Sequence, residues 1–506
     1  MSETKSIDIK KPNLKTVLIL CFLAIGLFLR IWPGTEYMLY TYDQARDVLA
    51  TETILNGHLK ILGPQTDIPG LFHGPLSYYI EAIPYRLLGG LPNALYFHIL
   101  TNLLTLIPLY FLAKYLFENR KTALLACFIF LISFEQVSYA RWLSHASLII
   151  PTATIFYLGL YMMLIGKKRG ILIAAIGAGL AAQLEILMVY FLPAGLIFLL
   201  LFRPKLNPKN LLLPALIIFL LVSSYLVAEV KFNFMGTKEF LNYLPKDSKG
   251  FDFASKIPNY FSQLQNVAAY NLIPQSKPLS SLALILIFVT FLKIASTNRF
   301  AKKYTFLLFL FAANLPLFLF LNFNSHFVNM GTSIPFILVL TTVLEYIRQK
   351  SKKVFIFLLA GLAFFNVSFI LEKNFEGNRI FQVYQGSIYK DTMDVVKRTY
   401  AIANGEVFSI NAVTNPLFIP TKWAYAYKQY AVANNVKLPH FHGNTASVFP
   451  GVEIFPRSGE ITNYEFTILE PDLPESWAEK SLNADGLRKT QIKREDFGKI
   501  ILLVRH

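Results

Sequence analysis

The chain has 506 residues, 54% of them hydrophobic and 16% charged, with a net charge of +17. A soluble domain carries about 25% charged residues, and about 20 consecutive apolar residues cross a bilayer, so the composition excludes an ordinary soluble protein. The basic excess lies in short loops between apolar runs and so excludes nucleic acid as its reason, while Cys21 and Cys127, each inside an apolar run, exclude a disulfide framework and a thiolate metal cluster.

Eleven apolar segments are predicted to span the membrane: 16–32, 93–113, 121–138, 146–166, 171–187, 188–203, 211–229, 279–293, 304–321, 331–347 and 354–371. A basic N-terminus before an apolar run is also the pattern of a secretory signal. No small-residue cleavage site follows Trp32-Pro33-Gly34, however, so the first span is expected to be retained. Alternate loops hold Lys114, Arg120 and Lys121; Lys167, Lys168 and Arg169; Arg203, Lys205 and Lys209; Lys293, Arg299, Lys302 and Lys303; and Arg348, Lys350, Lys352 and Lys353. The positive-inside rule puts these loops and the N-terminus in the cytoplasm, and an odd number of spans leaves the C-terminal segment outside. The pair 171–187 and 188–203 is the hinge of this count. Read as one broken helix, it would reverse every later loop.

The expected fold is therefore an all-α polytopic membrane protein of about eleven transmembrane helices, with interfacial helices in the first external loop and a small C-terminal extracytoplasmic α/β domain. The membrane module covers 1–373, with large external loops at 33–92 and 230–278, and the domain covers 374–506. In that domain 405–410 and 499–504 read as strands and 425–434 as a short helix.

The first loop concentrates the polar motifs. Thr41-x-x-Gln44 is a capping box and predicts a helix over 42–55, ended by Gly57. Asp43, Arg46 and Asp47 then share one face, being three and four residues apart. By local pattern alone, Asp43 is a first-turn acid that serves the helix dipole. A second helix starts near Gly74-Pro75, carries Leu76, Tyr79, Ile80, Ile83 and Leu87 on one apolar stripe, bends at Pro84 and stops at Gly89-Gly90. Both helices read as lying along the membrane surface. Three acids, Glu135, Glu185 and Glu229, stand at span ends. A charge at mid-bilayer costs at least about 2.5–3.5 kcal/mol, and the predicted topology puts all three toward the outside. His440 and His442 fall short of a four-ligand metal site.

Tyr42-Asp43-Gln44 after a first span, then His73-Gly74-Pro75-Leu76 before the second, and Ala228-Glu229-Val230-Lys231-Phe232 closing a later span, together resemble the GT-C glycosyltransferases. The likeness is to their branch containing the protein O-mannosyltransferases and the aminoarabinose (lipid A) transferases. Asp43 stands where that branch has the first of two acids, Gln44 departs from the second, and His73-Gly74-Pro75-Leu76 is similar to its His-Pro-Pro-Leu. The resemblance implies transfer of a sugar from a polyprenyl-phosphate donor to an acceptor hydroxyl on a glycan, lipid or protein at the outer face, with inversion. It implies Asp43 as general base and His73 beside the donor phosphate. Arg46 and Asp47 flank the base, and Arg141, Lys231, His326 and Glu229 are further candidates for substrate binding at predicted outer edges. No cofactor is expected; a divalent metal is left open. The competing reading is a transporter or lipid flippase, which would gather its polar groups at broken spans near the midplane. Here they gather in loops.

Overall fold

The computed structural model describes residues 14–243, 253–320, 326–378, 380–381, 387–445, 449–456, 462–474, 476–477 and 490–506. The basic residues before 14 and part of the loop 230–278 lie outside the described residues.

The chain opens with α1 (Leu14–Ile31), followed in the first loop by α2 (Tyr42–Leu55) and α3 (Leu76–Leu88). Next come α4 (Leu95–Leu104), α5 (Leu106–Phe117), α6 (Arg120–Ile132), α7 (Phe134–Ala140), α8 (Ile149–Leu164), α9 (Gly170–Leu184), α10 (Phe191–Phe202) and α11 (Leu212–Lys231). The loop helices α12 (Met235–Tyr243) and α13 (Phe253–Asn271) precede α14 (Lys277–Thr297), α15 (Lys302–Ala312), α16 (Leu315–Phe320), α17 (Ser333–Lys350) and α18 (Lys352–Lys373). Each of the predicted segments falls on one of these helices or on a consecutive pair. Among the described residues, five helices are long and apolar enough to cross a membrane, or six if the bent pair Arg120–Ile132 and Phe134–Ala140 is one span. The protein is thus a multi-pass membrane protein. Among the remaining segments, that of α6 and α7 is divided at a polar residue. Ser133 takes an extended backbone and caps α7 by accepting from Gln136 N at 3.3 Å, which bends the chain by 64°.

The segment 171–203 is resolved by its packing. α9 lies tightly against α8: a Cβ on Gly159 would strike the Ala174 backbone, and one on Gly177 would strike that of Phe156. Small residues are what let two helices in lipid approach this closely. At Glu185 the backbone is extended (φ −144°, ψ 116°) and the chain turns back. Phe191 stacks on Phe156 with centroids 4.4 Å apart, and Phe198 reaches Phe306, which also touches Tyr161 near the end of α8. Gly170, at the start of α9, abuts Met162 and Met163 at that same end. α9 and α10 therefore run antiparallel to each other, not as one continuous helix.

The C-terminal region folds as α19 (Tyr389–Ala403), β1 (Phe408–Val413), α20 (Thr421–Asn434), β2 (His440–Phe441), β3 (Tyr464–Leu469), β4 (Gln491–Phe497) and β5 (Ile500–Arg505). The sheet order is β2-β1-β3-β5-β4, parallel around β1 and antiparallel around β5. β1 is buried at every position, as a strand covered on both faces must be. Its core does not stop at the domain edge. Tyr40, Ala45 and Val48 from the first loop share one apolar cluster with Trp423, Tyr425 and Phe466. The Tyr40 hydroxyl donates to Lys422 O at 3.0 Å, Ser387 Oγ donates to Tyr40 O at 2.7 Å, and Lys428 Nζ meets Glu52 at 2.7 Å. α2 is thus held between the membrane helices and the C-terminal domain. The first loop and the C-terminal region pack directly on each other.

Candidate active site

Three pieces of chain converge beside α2. The first is the N-terminus of α2 itself. Gln44 Oε1 accepts from Thr41 N at 2.9 Å, and its amide nitrogen donates to Leu143 O at 3.0 Å, so one side chain both caps the helix and ties it to the chain after α7. Asp43 is left exposed, with Oδ1 2.9 Å from Arg46 Nη1. Asp47 is buried and takes Arg46 Nε and Nη2, both at 2.8 Å. Burial alone would lower the Arg46 pKa; Asp47 and then Asp43 outweigh it and hold the guanidinium charged, well above its ordinary value. The Tyr42 ring lies 5.4 Å from the guanidinium and is edge-on to Phe449 of the C-terminal domain.

The second piece is a tight hairpin, with Gly63 N donating to His73 O at 3.0 Å and His73 N to Pro64 O at 2.9 Å. Two of its glycines are required by space. A Cβ on Gly63 would strike the carbonyl of Gly74, and one on Gly74 would strike Gln183. Asp67 lies on this hairpin; partial desolvation, then the charges of Asp43 and Glu185, raise its pKa.

The third piece is the turn between α9 and α10 with the lead into α8. Glu185 caps the turn by accepting from Leu187 N at 3.3 Å. Its Oε1 stands 3.2 Å from His73 Nδ1 and its Oε2 3.6 Å from His145 Nε2. The two imidazole centroids are 4.4 Å apart. Burial pushes the His73 pKa down to about 3, against the pull of Glu185, so His73 is uncharged at neutral pH.

The motif-nominated residues therefore divide. Asp43, Arg46, Asp47 and His73 meet in one cluster. Glu229 lies at its edge, accepting from Thr237 N at 3.2 Å and sitting beside Gly236 and Leu71; Lys231 is exposed beyond it, over the Phe232 ring. Arg141 is placed otherwise. Its guanidinium donates to the carbonyls of Arg30 (3.0 Å), Ile31 (3.1 Å) and Gly34 (3.1 Å), closing the end of α1. His326 sits in a separate buried group, 2.7 Å from Glu135 Oε1. Asp67 and His145 are absent from the residues the motifs nominate, and Glu185 is singled out only as an acid at a span end. The signals for them were weak: an acid between two turn glycines, and a polar Ser144-His145 just after Trp142. A cavity of about 280 Å³ lined by Asn119, Asn298, Lys303 and Glu345 opens at the other end of α5, away from this cluster.

Residues 72–227 match a family model described as dolichyl-phosphate-mannose-protein mannosyltransferase. The structure superposes on ArnT from Cupriavidus metallidurans bound to undecaprenyl phosphate with a TM-score of 0.60 at 10% identity, covering 97% of this chain and 98% of that one. Its fold is that of this ArnT. The apo form of the same ArnT matches with a TM-score of 0.59 at 9% identity, over 97% of this chain and 98% of that one. A stretch of 200 residues is 30% identical to an uncharacterized protein of Aquifex aeolicus, spanning 37% of each.

Proposed function

We propose that the chain is a membrane glycosyltransferase that moves a sugar from a polyprenyl-phosphate donor to an acceptor hydroxyl at the extracytoplasmic face. The observation that carries this reading is Asp43, an exposed carboxylate oriented by Arg46 at the mouth of a polar cluster, on a fold shared with an ArnT that holds undecaprenyl phosphate. Arg46 holds Oδ1, leaving Oδ2 to take a proton. As the acceptor oxygen bonds to the anomeric carbon, its proton passes to Asp43 and the bond from carbon to phosphate oxygen breaks on the opposite side. The polyprenyl phosphate leaves and the configuration inverts. Asp47 keeps Arg46 in place from below. His73, with Glu185 and His145, faces the donor end, and Glu229 and Lys231 border the approach. The basic loops at 167–169 and 203–209 assign their ends of α8 to α11 to the cytoplasm. The first loop and the C-terminal domain are then outside, where the domain closes over α2.

The test is reconstitution of purified protein in liposomes with a panel of radiolabelled polyprenyl-phosphate sugars and a cell-envelope acceptor extract. Label is expected to move into acceptor with at least one donor. Failure with every donor, alongside donor-dependent movement of lipid across the bilayer, would establish the flippase reading instead.

A further inference from the structure

We propose that His73, His145 and Glu185 form a binding site for a divalent transition-metal cation of the zinc class. The ligand atoms come from the hairpin of the first loop, the lead into α8 and the turn after α9, and they all lie within 4.8 Å of one another. Two imidazoles and one carboxylate are a ligand set that zinc accepts while keeping a fourth position open. The spacing fits as well. Metal–ligand bonds of about 2.0–2.1 Å in a tetrahedron place neighbouring ligand atoms about 3.3–3.4 Å apart. Here Glu185 stands 3.2 Å from His73 Nδ1 and 3.6 Å from His145 Nε2.

The hydrogen bonding leaves this arrangement incomplete without a cation. The Ile186 N–H points at His73 Nδ1 at 3.2 Å, so that nitrogen carries a lone pair and no proton. The same nitrogen faces Glu185 Oε1, another lone-pair atom, at 3.2 Å. Two acceptors face each other with nothing between them, a contact that repels until a positive charge is shared. His145 is held no better: its Nδ1 is buried without a partner, and its Nε2 is too far from Glu185 for a good hydrogen bond. The backbone around the site is nonetheless fixed. Gly74 is jammed against Gln183, and Glu185 is pinned by its cap on Leu187 N.

Charge balance gives an independent argument. Asp67 feels the charges of Asp43 and Glu185, Asp43 and Asp47 both pair with Arg46, and Arg46 is the permanently charged cation beside these acids among the described residues. Counting both imidazoles as charged would still leave the cluster negative. A phosphate-bearing ligand would enter against that field, and a metal with an open position would reverse it locally and accept an anionic oxygen. This last consequence rests on the transferase reading. Occupancy by metal does not.

The test uses full-length protein in detergent, stripped with a chelator, reloaded with zinc alone and assayed for bound metal by mass spectrometry. About one ion per chain is expected. His145→Ala and Glu185→Gln should each weaken retention by more than the ~10–100-fold that losing an outer-shell partner costs. His145→Cys should restore it through a thiolate, visible after cobalt loading as a sulfur-to-metal charge-transfer band. Thermal melts of each variant report whether it is folded. A folded wild-type chain that retains no zinc, or zinc retention unchanged in the folded variants, overturns the site. Metal retained without sugar transfer from any donor leaves the site standing and removes the transferase, whereas transfer by a stripped chain that still retains zinc on reloading leaves both standing and removes only the metal's part in accepting the phosphate.

Discussion

Asparagine in place of Asp43 and, separately, of Asp47 perturbs the same guanidinium in two different ways. The Asp43 side chain is 62% exposed and meets Arg46 through one contact of 2.9 Å. Its neutralisation removes an exposed ion pair worth about 0.2–1 kcal/mol and a first-turn acid worth about 0.3–1 kcal/mol. The Asp47 side chain is 4% exposed and takes two Arg46 nitrogens at 2.8 Å. Its neutralisation leaves a largely buried guanidinium with the exposed Asp43 as its remaining counter-charge among the described residues, and breaking a buried pair costs about 3–5 kcal/mol. The catalytic expectation runs the other way. A general base contributes about 10²–10⁴ in rate, so Asp43→Asn should lose that factor in kcat while melting close to wild type. Asp47→Asn should melt early and lose folded protein before it loses specific activity. The assay pairs thermal melts in detergent with initial rates of transfer from a labelled polyprenyl-phosphate sugar. If Asp43→Asn keeps its kcat within about tenfold of wild type, a change of only about 1.4 kcal/mol in the barrier, Asp43 is not the base.

Gly74→Ala should cost about 1–3 kcal/mol through overpacking and reduce activity, because the new Cβ meets Gln183 behind the His73 turn; wild-type melting and rates would refute that packing. Arg141→Ala should cost on the order of 3 kcal/mol, since three carbonyls at the end of α1 lose a charged donor, and KM for donor in the surviving folded protein should stay unchanged. A tag after His506 should be reachable by impermeant label on intact cells, and protection there would reverse the assigned orientation.

What the sequence shows of this site is what depends on near neighbours. Thr41 and Gln44 are three residues apart, so their capping contact is visible as a motif, and so is the shared face of Asp43, Arg46 and Asp47. The second bond of Gln44, to Leu143, spans 99 residues and leaves no local trace. The same holds for the partners of His73, which lie 72 and 112 residues away and meet it only because α8 and α9 pack through glycines. Arg141 misleads for a related reason. An arginine at a predicted membrane edge suggests a headgroup or phosphate, whereas its partners are main-chain carbonyls that no side-chain pattern encodes. The helical segments are legible from apolar runs alone. The break at Ser133 is not, because it depends on a side chain that caps one particular turn, whereas the break at Glu185 is visible to within a few residues as the division between 171–187 and 188–203.

The shared core of α2 and the C-terminal domain sets an order of events during synthesis. Tyr40 and Lys422 are 382 residues apart, and the chain must bring them together before α2 has its full packing surface. The helix that presents Asp43 emerges early from the ribosome, yet its apolar face waits for the last quarter of the chain. A partly made protein already inserted in the membrane therefore carries the Asp43 carboxylate on an unsupported helix. Completion of translation, and arrival of the tail beside the first loop, become the step that completes the packing around α2.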